Sequence, residues 1–88
     1  MTTQLKKNFQ FETQQEILEI LKISSSTLYR NIEGEIWPPP IPIGDRAVRF
    51  ESTETKLVIE AMVAGKSKDE IKSLVRQIKK SRTSGEFQ

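Results

Sequence analysis

The sequence contains no cysteine and no histidine. The lack of cysteine excludes disulfides and thiolate metal sites, and the lack of histidine removes the commonest metal ligand and general base. No apolar run approaches the roughly 20 residues of a membrane span. The N-terminus has no apolar segment typical of a signal peptide. These absences predict a cytoplasmic chain that uses no metal or cofactor and has no membrane partner.

A catalytic site is not indicated by the remaining residues either. The acids are scattered or stand next to lysines, and the four glycines are isolated turn residues rather than a phosphate-binding loop. The sequence therefore predicts a protein that is not an enzyme.

The positive charge is small in total but unevenly placed. The net charge is +2, and residues 1–50 hold six basic and six acidic side chains. Residues 71–82 contain five basic side chains and no acid: Lys72, Arg76, Lys79, Lys80 and Arg82. Such a segment is either a phosphate-attracting surface or the solvated outer face of a helix.

Two helices separated by a tight turn are predicted near the N-terminus. Thr13 and Glu16 have the spacing of a capping box, which starts a helix over residues 14–21. Ser24 can cap a second helix that runs to about Glu33. Gly34 is expected to end it in a left-handed conformation.

A stiff connector and a hairpin follow. Residues 37–42 include four prolines and cannot be helical, so they predict an extended segment with Trp37 packed inward. Residues 41–43 and 47–50 predict two strands that turn at 44–46, and the alternating residues 9–11 can add a third. In the second strand we expect Val48 and Phe50 to face the core, and Arg49 to face solvent with Ala47.

Two further helices complete the pattern. Ser52 can cap a helix over about 53–64, whose segment 57–64 is more apolar than one core stripe needs. Ser67 and Glu70 form a second capping box before an amphipathic basic helix over 67–82. We expect one domain over residues 9–82, with a flexible N-terminus (1–8) and a flexible tail (83–88).

These elements predict a mainly α fold with a small β-sheet, a winged helix-turn-helix of about four helices and a two- or three-stranded wing. In that fold the second helix enters the major groove of double-stranded DNA. Arginine can bond guanine or a phosphate, serine, threonine and tyrosine can bond phosphates or base edges, and the wing can grip the backbone. The candidate nucleic-acid-binding residues are Ser25, Ser26, Thr27, Tyr29, Arg30, Arg46 and Arg49.

Simpler interpretations remain open for several of these features. One alternative interpretation of residues 24–27 is a serine-rich cap on an ordinary helix, and one of Arg49 is an ordinary surface arginine. The spacing of prolines at 39 and 42 also matches peptides that dock in aromatic grooves, although a structural connector fits it better.

Three motifs follow one another in the sequence: Ile-Ser-Ser-Ser-Thr-Leu-Tyr-Arg at 23–30, Trp-Pro-Pro-Pro-Ile at 37–41, and Ile-Gly-Asp-Arg-Ala-Val-Arg-Phe at 43–50. In this order they resemble the AlpA family of small phage and genomic-island regulators, which is related to phage excisionases and MerR-like DNA-binding domains. The resemblance covers about residues 9–64. It implies a DNA-binding winged helix-turn-helix that controls integrase-linked genes or directs recombination, with contacts from Ser25, Thr27, Tyr29, Arg30 and Arg46.

Four positions depart from that family's pattern. Ser25 stands where many members have a basic residue, and Lys22 stands at a turn position often held by glycine. If that turn needs a positive φ, Lys22 costs about 1 kcal/mol. Glu33 and Glu35 occupy positions where lysine is common, and they would repel phosphate if they faced it. The basic fourth helix or a second protomer can compensate.

The leading hypothesis is a sequence-specific DNA-binding protein of a prophage or genomic island, associated with the nucleoid and acting as a regulator or an excisionase. Its partners would be double-stranded DNA, an integrase or recombinase, and further copies in a homodimer or a cooperative array. The alternative is a protein-interaction module that uses residues 57–64 and the last helix.

Overall fold

The computed structural model describes residues 9–83, so the predicted flexible N-terminus (1–8) and residues 84–88 of the predicted tail (83–88) lie outside the described residues. Four helices and three short strands are present: β1 (Phe11–Glu12), α1 (Gln14–Leu21), α2 (Ser25–Glu33), β2 (Ile41–Pro42), β3 (Val48–Glu51), α3 (Ser52–Val63) and α4 (Lys68–Thr83). The predicted mainly α fold with a small sheet is confirmed. Thr83, placed at the start of the tail by the sequence, is the last residue of α4.

Helix α1 begins at the predicted capping box. The Thr13 amide donates to Glu16 Oε1 at 2.8 Å, and the Glu16 amide donates to Thr13 Oγ1 at 3.1 Å. This arrangement satisfies two amides that the first helical turn leaves unpaired. Ile17 is fully buried and attaches the helix to the core.

Three residues separate α1 from α2, and the first of them has a left-handed backbone. Lys22 has φ 58° and ψ 47°, and its amide donates to the Leu18 carbonyl at 2.8 Å. The positive φ considered from the sequence is therefore present. Ser24 caps α2 as predicted, because its hydroxyl accepts from the Thr27 amide at 3.2 Å. Leu28 is fully buried and anchors α2.

The end of α2 differs from the prediction by one residue. Gly34 has φ −82°, and Glu35, with φ 62°, is the left-handed residue. The Ile36 amide donates to the Asn31 carbonyl at 2.9 Å, and the Glu35 amide to the Ile32 carbonyl at 3.1 Å. This pair of bonds is a Schellman motif, which needs a left-handed residue one position after the cap. That position is occupied by a glutamate here.

The three strands form one antiparallel sheet in the order β1-β3-β2. Phe11 lies opposite Glu51, and Ile41 opposite Arg49. The third strand proposed from the sequence is present, although it covers residues 11–12 instead of 9–11. The Ile43 amide donates to the Ala47 carbonyl at 2.9 Å and closes the hairpin around the predicted turn.

Strand β3 continues into α3 without a linker. The cap is Glu51 and not Ser52 as the sequence suggested, because the Glu51 carboxylate accepts from the amides of Thr53 and Glu54 at 3.1 and 3.2 Å. A carboxylate has two oxygens and can accept hydrogen bonds from two amides of the first turn. Residue 52 is the first residue of the helix itself, so its hydroxyl does not hold the N-cap position. Glu51 is therefore both the last residue of β3 and the N-cap of α3.

Helix α4 starts at the second predicted capping box, with Ser67 and Glu70 bonded to each other's amides at 2.9 and 3.2 Å. One core joins all four helices, the connector and the sheet through the buried residues Ile17, Leu28, Trp37, Phe50, Val58, Ile71, Val75 and Ile78. Trp37 packs inward as predicted. The surplus apolar surface of α3 remains exposed at Leu57, Met62 and Val63.

Candidate nucleic-acid interface

The first half of α2 presents small hydroxyl side chains to solvent. Ser25 and Ser26 are exposed, while Thr27 is half-buried. The Ser24 hydroxyl accepts from the Thr27 amide and also donates to Thr27 Oγ1 at 3.1 Å. Ser25 and Ser26 therefore leave room for a close approach to the helix, and the Thr27 hydroxyl is partly occupied by the cap.

Tyr29 connects α2 to the beginning of α1. Its ring is 52% exposed, and its hydroxyl donates to Gln14 Oε1 at 3.0 Å. The hydroxyl therefore lies beside the first turn of α1, the end of the helix at which the dipole favours an anion. The sequence did not single out Gln14, because it lies 15 residues before Tyr29 and no local pattern links the two residues.

Arg30 is exposed on α2, and no hydrogen bond or ion pair with residues 9–83 engages its side chain. An unpaired guanidinium keeps all five of its donors available in a planar fork. Arg30 can therefore bond a guanine or a phosphate without first breaking a contact within the described part of the chain.

The two arginines of the hairpin differ from each other. Arg46 is exposed in the bend at 44–46, and nothing within the described residues engages its side chain. Arg49 is half-buried, and its Nη1 donates to the Val48 carbonyl at 2.8 Å. The expected alternation of β3 is only partly present, since Phe50 is buried but Val48 is 39% exposed. The prediction that Val48 packs in the core was wrong, since Val48 belongs neither to the buried cluster nor to the residues packed against it.

Glu35 forms ion pairs with two cations of α4. Arg76 donates to Glu35 Oε1 through Nε at 3.0 Å and Nη2 at 2.9 Å, and Lys79 Nζ donates to Oε2 at 3.1 Å. The hydrogen bonds from Arg76 and Lys79 lower the pKa of Glu35, and the same contact raises the pKa of Arg76. Glu33 is exposed, and no residue within 9–83 pairs with it.

A third cation of α4 is used inside the protein as well. Arg82 Nε donates to Glu54 Oε2 at 2.9 Å, Nη2 donates to Glu54 Oε1, and Nη2 also donates to the Pro39 carbonyl at 2.9 Å. The Glu54 side chain is only 7% exposed. Arg76, Lys79 and Arg82 of α4 therefore each pair with an acid of the described residues, and Arg76 stays 63% exposed while Arg82 is 21% exposed.

An open cleft of about 270 Å³ lies on the side of the sheet where α4 ends. It is lined by Phe9, Phe11, Ile41, Glu51, Glu54 and Arg82. The carboxylate of Glu51 is used in capping α3, and that of Glu54 is used by Arg82. No group of three or more potential metal-ligating side chains occurs among the described residues. Within the same part of the chain, no helix is both long and apolar enough to cross a membrane.

Two helices joined by a three-residue turn, with an antiparallel hairpin that follows through a short connector, define a winged helix-turn-helix protein. Residues 12–59 match the family model of the prophage CP4-57 regulatory protein (AlpA), and the chain belongs to this family of phage regulatory proteins. The match runs from the end of β1 into the second half of α3, so α4 lies outside it. The curated proteins and the solved structures contain no significant match.

Proposed function

We propose that the protein binds specific sequences of double-stranded DNA and acts as a regulator of integrase-linked genes or as an excisionase. Helix α2 would enter the major groove, with Ser25, Ser26 and Arg30 at the base edges or phosphates. The observation that carries this proposal is the exposed, unpaired guanidinium of Arg30 on the second helix of the helix-turn-helix.

The remaining contacts would come from the two ends of the motif. Tyr29 and the start of α1 would hold one phosphate, since the Tyr29 hydroxyl lies at the helix N-terminus. Arg46 would reach the backbone or the minor groove from the tip of the hairpin, and Arg49 would contribute only if it left the Val48 carbonyl. Thr27 would contact a thymine methyl through its own methyl group.

A regulator and an excisionase would use the same surface. They differ in the arrangement of their DNA sites, because an excisionase occupies repeated sites cooperatively and bends DNA. One domain of this size covers little DNA, so a homodimer or a row of copies would add to the affinity. An integrase would be the protein partner in the excisionase role. Either function places the protein in the cytoplasm, on the nucleoid.

A second candidate function is favoured by the apolar surface of α3. Leu57 is 42% exposed and Val63 82% exposed. A shallow groove between α3 and α4 is lined by Leu57, Leu74, Gln77, Ile78 and Ser81. These residues fit a protein-interaction module in which DNA binding is weak, and the internal use of the α4 cations supports low electrostatic affinity for DNA.

Selection of bound fragments from the genome that encodes the protein tests both functions. Sheared DNA is selected at about 150 mM salt, where non-specific binding is weak, with Arg30→Ala as the control variant. Enrichment of one locus by the wild type, lost in the variant, supports specific binding. Closely spaced repeats next to an attachment site indicate an excisionase, and one promoter site indicates a regulator. No enrichment over the variant contradicts DNA reading and favours the interaction module.

A further inference from the structure

Glu35 holds a backbone conformation that a glutamate adopts at a cost. It occupies the left-handed position of the Schellman motif at the end of α2, with φ 62°, immediately after a glycine whose φ is negative. The equivalent position at the end of α3 is Gly65, with φ 80°. Glycine is the usual residue there because it lacks a Cβ. A side chain retained in a strained position points to a use for that side chain.

The use visible in the structure is a tie to α4. Both carboxylate oxygens of Glu35 are occupied, one by Arg76 and the other by Lys79. Arg76 and Lys79 lie three residues apart, which places them on neighbouring turns of α4. The left-handed turn at Glu35 therefore directs this carboxylate to a helix that begins 33 residues later in the chain.

The same helix holds the other end of the connector. Three residues beyond Lys79, Arg82 donates to the carbonyl of Pro39 while it pairs with Glu54. Between these two attachments, the connector inserts Trp37 into the core with no exposed surface. The segment that joins α2 to the hairpin is therefore fixed at its start, its middle and its end.

We infer that Glu35 is a positioning residue for DNA recognition, which fixes the connector to α4 so that Arg30 on α2 and Arg46 on the hairpin keep a constant separation. This inference rests on the proposed function. Helix α4, which lies beyond the residues matched by the family model, thereby acts as a brace for the DNA-binding unit and not as a DNA contact.

Removal of the charge of Glu35 separates this role from simple electrostatics. If Glu35 only repelled phosphate, then Glu35→Gln would strengthen DNA binding. If Glu35 positions the connector, the same change weakens specific binding. Glu33→Gln is the matched control, because Glu33 carries the same charge two residues earlier, is exposed and has no partner among the described residues.

The first readout is the affinity for the fragment selected by the wild type, relative to an unrelated duplex. We expect Glu35→Gln to lower this ratio by roughly fivefold or more, the effect of one misplaced base contact, with no change in the salt dependence of binding. Glu33→Gln should leave the ratio unchanged. Glu35→Gly should lower the ratio like Glu35→Gln while it keeps the fold, because glycine relieves the backbone strain. A ratio in Glu35→Gln that is unchanged or raised would overturn the inference.

The second readout needs no DNA and uses the only tryptophan of the chain, Trp37. Acrylamide quenching of Trp37 fluorescence should rise in Glu35→Gln and Glu35→Gly, but not in Glu33→Gln, under conditions where all variants are folded. Unchanged quenching in both Glu35 variants contradicts the tie between connector and α4. If quenching rises but the wild type selects no DNA, then the proposed function fails and the positioning role in recognition fails with it, while the tie itself is supported.

Discussion

The guanidinium of Arg82 and the carboxylate of Glu54 face each other through two hydrogen bonds across 28 residues of sequence. The Glu54 side chain is 7% exposed and the Arg82 side chain 21% exposed, so the pair is largely removed from water. Removal of either partner is costly in a pair of this kind, because the remaining charge would be buried without a counterion.

Arg82→Met should lower the free energy of unfolding by about 3 kcal/mol, the lower end for a broken buried pair, because Arg82 keeps some exposure. Urea denaturation monitored by circular dichroism measures this change. Arg76→Met is the control, since the Arg76 side chain is 63% exposed and its pair with Glu35 should contribute much less because solvent screens it. Equal losses of unfolding free energy in the two variants would show that burial does not set the contribution of each ion pair.

Lys22→Gly should raise the free energy of unfolding by about 1 kcal/mol, because glycine has no Cβ to oppose the left-handed conformation. The reciprocal variant is Gly65→Ala. Nothing lies within 4 Å of a Cβ placed on Gly65, so its cost comes from the φ of 80° alone. We expect a loss of about 1 kcal/mol there. Thermal and urea unfolding of both variants measures these two changes. A lower stability of Lys22→Gly would mean that the lysine side chain stabilises the fold.

Arg30→Ala should weaken binding to the selected fragment by about 1–3 kcal/mol and relax the preference at one base pair. The fold should be unaffected, because the Arg30 side chain has no partner within residues 9–83. Fluorescence anisotropy with the selected fragment and single-base variants measures both effects. Lys66→Ala, an exposed cation after α3, is the control and should bind like the wild type. Undiminished affinity in Arg30→Ala removes this residue from the interface.

Arg46→Ala should lower the affinity for every duplex to a similar degree. If Arg46 neutralises one phosphate, the slope of log affinity against log salt should fall by about 0.9. Titrations with the selected fragment and an unrelated duplex at several salt concentrations determine this slope. A change of base preference with an unchanged slope would assign Arg46 to a base edge instead.

The stability of the protein should fall in acid through Glu35 and Glu70. Hydrogen bonds from Arg76 and Lys79 lower the pKa of Glu35, and those from Ser67 lower the pKa of Glu70, from the ordinary value of 4.5. A lowered folded pKa stabilises the fold above the unfolded value, and this contribution disappears as the pH falls through the folded value. Urea midpoints should therefore decrease below pH 4.5, and less so in Glu35→Gln. An identical acid dependence in that variant would contradict the contribution of Glu35.

Local patterns predicted most of the elements because their signals lie within a few residues. The capping boxes at Thr13 and Ser67, the cap at Ser24 and the inward Trp37 follow from short-range chemistry, and each is present. The errors at Gly34 and Ser52 are shifts of one residue. In both places a neighbouring glutamate, Glu35 or Glu51, took the special position that the sequence assigned to a smaller residue.

The electrostatic organisation was not predictable from the sequence. The family pattern made Glu35 an acid that could face DNA, and the charge run made α4 a basic surface. In the structure Arg76 and Lys79 of α4 pair with Glu35 across 41 and 44 residues, which neither interpretation included. Pairing over such a distance depends on how the helices pack, and no local pattern reports it. The contact of Tyr29 with Gln14 escaped prediction for the same reason.

The shared residue between β3 and α3 restricts how the hairpin can vary. An insertion next to Glu51 would rotate α3 by about 100° against the sheet, because each helical residue turns that far, and would separate the carboxylate from the two amides it caps. The bend at 44–46 is exposed and carries no such constraint. Insertions or substitutions that lengthen or change the hairpin should therefore be made at its tip. The fold tolerates changes of length there, whereas the junction between β3 and α3 does not.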